Sequence, residues 1–166
     1  MAAASLLAVV ALVGCGDDSS GPVARSNSSG ARATGTVETS TGLYRVDLSV
    51  GPAAGALGAP CAPAPSPGRT VRPVLVTVVN TSPDQPAPFP PLRVELVSGG
   101  SPAEVLVQDP AGACTFTPRG PALEPGATVS FSGTTPLFVG DGKPGSAGAV
   151  QVAVSESDFA VSVPVP

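Results

Sequence analysis

The 166-residue chain has no histidine, no tryptophan and no isoleucine, and only one lysine and one tyrosine. Without His, the Ser-His-Asp and Cys-His nucleophile arrangements lack the base that takes a proton near neutral pH. The common His-containing zinc sites are excluded with it. The eight basic residues, seven of them Arg, are scattered singly from Arg25 to Lys143, and the net charge is −4. Such a chain offers no electrostatic footprint for a phosphate backbone, so nucleic acid is not an expected partner. Five Phe and one Tyr leave few flat faces on which sugars or bases could stack, and no carboxylate pair of the glycosidase kind can be picked out. The chain is therefore not expected to be an enzyme, and no cofactor or metal is expected.

Two residue types are abundant. Pro (21) and Gly (20) together make about a quarter of the chain, the edge of low-complexity composition. Val (24), Leu (12) and Phe (5) make another quarter, above the roughly 20% below which disorder is the expected state. A core is possible wherever these apolar residues are grouped.

They group by alternation. Leu43 to Val50 sets Tyr44, Val46, Leu48 and Val50 on one face and Arg45, Asp47 and Ser49 on the other, the period of a half-buried strand. Val74 to Asn80 is apolar on both faces, as a central strand would be. Further strands are predicted at Leu92–Ser98, Ala103–Gln108, Ala127–Ser132, Ala149–Ser155 and Asp158–Val163, with a short one at Leu137–Val139. The Pro and Gly fall between these runs, in Gly51-Pro52, Asn80-Thr81-Ser82-Pro83, Glu124-Pro125-Gly126 and Asp141-Gly142, where Gly permits positive φ and Pro presets φ. Seven or eight short strands with such turns predict an all-β, antiparallel β-sandwich.

The longest apolar run, Met1 to Val13, is too short to span a bilayer and ends at Gly14-Cys15, which fits the apolar region of a secretory signal. Leu12-Val13-Gly14-Cys15 resembles the lipobox of bacterial lipoproteins, although Met1 to Ser5 carries no basic residue. The resemblance implies a signal peptide over residues 1–14 and lipidation of Cys15. It implies an extracytoplasmic protein anchored by lipid to the cell membrane or the outer membrane. Residues 15–35, rich in Gly, Ser, Ala and Asp, then read as a flexible tether, and a single domain occupies residues 36–166. Once Cys15 is given to the lipid, Cys61 and Cys114 are free to form a disulfide in an oxidising compartment. The alternative is a pair of free or metal-binding thiols.

A second resemblance rests on Val74 to Ser82, VLVTVVNTS, and Leu123 to Gly133, LEPGATVSFSG. These are similar to the V-x-V-x-V-x-N strand end and L-x-P-G-x-T-V-x-F strand start of bacterial immunoglobulin-like, cell-adhesion-related domains. The likeness implies an immunoglobulin-like sandwich. The function expected is a non-catalytic binding or envelope-interaction module whose partner is an envelope protein or surface ligand. Its contacts would lie on loops at one end of the sandwich or along an edge strand. The alternative is a carrier or sensor of an apolar small molecule held between the sheets. Pro86 to Pro91, PAPFPP, is read as a stiff loop that turns Phe89 inward, and Glu95 and Glu104 are placed on solvent faces.

Overall fold

The computed structural model describes residues 23–27, 30–52, 60–62, 69–98, 101–135, 138–139, 148–155 and 157–165. Its elements are strands: β1 (Val23–Asn27), β2 (Gly30–Thr39), β3 (Gly42–Val50), β4 (Arg69–Thr70), β5 (Pro73–Asn80), β6 (Leu92–Ser98), β7 (Ser101–Glu104), β8 (Val107–Gln108), β9 (Cys114–Thr115), β10 (Thr128–Thr134), β11 (Phe138–Val139), β12 (Gly148–Val154) and β13 (Ala160–Val165). Every pairing is antiparallel. The larger sheet runs β1-β2-β3-β5-β10-β8-β9, the smaller β13-β12-β6-β7, and β4 pairs separately with β11.

The two main sheets share one core. From the larger come Ala31 and Ala33 of β2, Tyr44, Val46, Leu48 and Val50 of β3, Val74, Val76 and Val78 of β5, and Phe131 of β10. The smaller supplies Leu92, Val94 and Leu96, then Val150, Val152 and Val154, then Val161, Val163 and Val165. Valine dominates because a β-branched side chain restricted at χ1 packs well on a pleated surface. The fold is therefore all-β with two antiparallel sheets whose apolar faces are buried together, and the alternation predicted for Tyr44, Val46, Leu48 and Val50 is observed on β3.

Three expectations are corrected. The tether expected to reach Gly35 does not: residues 30–35 already belong to β2, whose Ala31 and Ala33 are buried. β2 is poor in large apolar residues because β13 crowds it. A Cβ added at Gly35 would stand 2.8 Å from the Phe159 ring and 2.9 Å from Val161. Small residues there complement the opposite layer, although their composition resembles a linker.

The run Ala103–Gln108 is two strands rather than one. β7 pairs with β6 in the smaller sheet, whereas β8 pairs with β10 in the larger. Between them the buried Val105 donates its N–H to the Val94 carbonyl at 2.9 Å as the chain crosses between layers.

Nor do Pro and Gly stay outside the strands. Pro73 opens β5, Pro102 lies in edge strand β7 and Pro164 in edge strand β13. These are the places where a missing N–H costs no ladder bond. Gly133 sits inside β10, where the Leu106 carbonyl and the Val107 side chain leave no space for a Cβ.

Candidate functional site: two loops clamped at one end of the larger sheet

Cys15 and the lipobox lie outside the described residues, as do Asp141-Gly142. Cys61 and Cys114 form a disulfide, their Cα atoms 5.6 Å apart and 53 residues apart in sequence. Cys61 has φ 53°, in the left-handed region that residues with a Cβ seldom adopt. The segment beside it is held a second time, by the Thr134 hydroxyl donating to the Pro60 carbonyl at 2.7 Å. Among the described residues no group of three or more potential metal-ligating side chains comes together. Glu95 and Glu104 are register partners across β6 and β7, and Arg93 stands 3.6 Å from Glu95.

Among the described residues, a pair of loops is held by several separate fastenings. One, residues 81–91, joins β5 to β6; the other, residues 116–127, joins β9 to β10. Asn80 ends β5 and is fully buried, so its side-chain groups must find partners within the protein. Its Nδ2 donates to the Gln85 carbonyl at 3.0 Å and to the Leu123 carbonyl at 2.8 Å, and its Oδ1 accepts from the Ser82 N–H at 2.9 Å. One side chain thereby shapes the first loop and fastens it to the second.

The backbone repeats the connection. Ala87 and Leu123 exchange two hydrogen bonds, of 2.9 and 2.8 Å, and both side chains are buried. Asn80 N–H donates to Ala127, and Gly126 N–H donates back to the Asn80 carbonyl at 2.8 Å. The second loop closes through Glu124-Pro125-Gly126-Ala127, with Ala127 N–H donating to the Glu124 carbonyl and Gly126 at φ 75°. Pro then Gly at the two central positions is what a type II turn requires. The two segments that resembled a known strand end and strand start therefore meet: β5 pairs with β10 from Pro73 to Val79, and Asn80 ties their ends together.

Tyr44 adds the third fastening. It is fully buried on β3, and its hydroxyl donates to the Pro88 carbonyl at 2.5 Å. One residue on, Phe89 packs its ring on Phe131, centroids 5.2 Å apart, so the inward turn read into PAPFPP is observed. Gly120 lies flat against the other loop's Phe89 ring, since a Cβ there would come within 2.7 Å of it.

The result is an open hollow of about 460 Å³ floored by Phe89 and Gly120 and walled by Pro88, Pro90, Pro118 and Arg119. Pro118 is buried and Arg119 exposed. The ion pairs among the described residues are Arg45–Asp47 and Arg93–Glu95, and Arg119 enters neither. A second hollow, of about 370 Å³, lies on the outward face of the larger sheet at Arg32, Thr34, Asp47, Leu75 and Thr77. Its carboxylate is already engaged: Thr34 Oγ1 donates to Asp47 Oδ1 at 2.7 Å, and Arg45 Nε holds Asp47 Oδ2 at 3.2 Å. Of the site residues, Phe89 and Asn80 stood out in the sequence, whereas Arg119 and Gly120 did not, because neither carries a periodic or spaced pattern.

Compared with known protein families, with curated proteins and with solved structures, the chain matches none.

Proposed function

We propose that the protein is a non-catalytic, extracytoplasmic binding module, held at a membrane by lipid on Cys15, and that the clamped loop pair is its binding end. The observation that carries this reading is that two fully buried polar side chains, on different strands, are both spent on these loops. Tyr44 and Asn80 both direct their hydrogen bonds to loops 81–91 and 116–127. Buried polar groups are costly unless satisfied, and here they fix the shape of a surface. Loops placed by a rigid scaffold are common carriers of recognition. An immunoglobulin-like arrangement of the two sheets is part of the proposal, supported by the meeting of the Val74–Asn80 and Leu123–Gly133 segments. The alternative of an apolar carrier has less support, because the inner faces form one cluster of buried side chains and the hollows described above open on the outside.

The test is capture from envelope extract by the full-length chain, with a chain carrying Arg119→Glu and Ala122→Arg as comparison. Specific enrichment that the double substitution abolishes supports the proposal. Equal recovery by both chains, or none over an unrelated lipid-anchored protein, refutes it. Fractionation tests the anchor: Cys15→Ser moves the protein from the membrane pellet to the soluble fraction, and an unchanged distribution refutes lipidation there.

A further inference from the structure

We infer that the Phe89–Arg119 hollow binds a small organic anion: a ring-sized apolar body carrying one carboxylate. The inference rests on the reading of the loop pair as the binding end and names the class of ligand it takes. Three observations converge on it.

The first is shape. The hollow is lined by the Phe89 side chain and by several pyrrolidine rings, and its volume of about 460 Å³ falls within the range of small-molecule sites. An apolar body of ring size suits a lining so rich in pyrrolidine and phenyl carbon. The second is rigidity. The carbonyl of Pro88 is committed to Tyr44, the Leu123 carbonyl to Asn80 and Ala87, and Phe89 is held between Phe131 and Gly120. A site already fixed in its bound shape avoids the ordering cost that weakens flexible ones. The third is charge. Arg119 stands on the rim, outside both ion pairs of the described residues, with its planar fork of donors. That fork matches a carboxylate bidentately. On a chain of net charge −4, a lone guanidinium beside an apolar hollow selects for one negative group attached to an apolar body.

The experiment is an amide NMR titration of the full-length chain with 2-naphthoate and, separately, with its neutral isostere 2-naphthamide. The expected result is a set of naphthoate-induced shifts centred on Phe89, Gly120 and Ala122, with a dissociation constant on the order of 1 mM. Naphthamide and the Arg119→Gln chain each weaken binding by about threefold to fivefold, the range of an exposed ion pair. Arg32→Gln, at the second hollow, leaves binding unchanged. Ala122→Trp, a substitution at an exposed wall residue, abolishes shifts from both compounds. Should that chain lose its dispersed spectrum, the Arg119→Gln comparison decides alone. Equal affinity for the two compounds, no effect of Arg119→Gln, or shifts centred elsewhere would overturn the inference. An envelope protein captured through the same loops, with no naphthoate shifts, overturns the ligand class while leaving the binding end intact.

Discussion

At the scale of single residues, stability and the candidate site depend on the same few polar side chains. Asn80→Ala removes three hydrogen bonds, one buried and two partly buried, and leaves the Ser82 N–H without its acceptor. We expect a loss of about 2–3 kcal/mol, read as a lower urea midpoint with an unchanged slope. Asn80→Asp keeps the shape but points an oxygen at two carbonyls, so it should be no milder. Tyr44→Phe removes only the bond to Pro88 and should cost about 1 kcal/mol, with amide exchange rising in loop 81–91. If Asn80→Ala left both stability and loop exchange unchanged, the buried side chain would not be the fastening described above. Asn80 was legible in the sequence because it closes an apolar strand with a polar side chain. Arg119 and Gly120 were not, because what singles them out is the ring of a residue some thirty positions earlier.

At the scale of elements, the sequence is easiest to read where one strand faces the core alone and hardest where two layers share the space. β3 and β12 show their alternation plainly, since each inward residue is large enough to be recognised. β2 hides it, because its buried Ala31 and Ala33 are small and Gly35 leaves room for Phe159 and Val161. Gly35→Val tests this directly. Valine has the higher strand preference, yet overpacking against Phe159 should destabilise the protein by about 1–3 kcal/mol. Phe159→Ala in the same chain should recover part of that loss, so the two effects would not add. Simple additivity in a double-mutant cycle would show that the two layers do not compete for this space. The run from Ala103 to Gln108 misled for a related reason: alternation persists through Val105 while the chain changes sheets, and periodicity carries no information about which sheet a strand joins.

At the scale of the whole molecule, the disulfide and the strand order act on the same long loops. In the chain-entropy picture, joining residues 53 apart stabilises by about 4 kcal/mol, comparable with the entire stability of a small domain. Replacing Cys61 and Cys114 together by Ser should lower the thermal midpoint sharply, and a reducing agent should have the same effect on the native chain and none on the variant. An unchanged midpoint would mean that the bond staples a segment that opens before the core does.

The place of β10 has a further consequence, one of timing. It lies between β5 and β8 in the middle of the larger sheet, although it is made long after β5. Until residues 128–134 exist, β5 has one open edge, and the β8–β9 pair has no strand linking it to the rest of the sheet. Pairings of such sequence separation form slowly. A growing chain of this design therefore completes its larger sheet only late in synthesis, once residues 128–134 have been made.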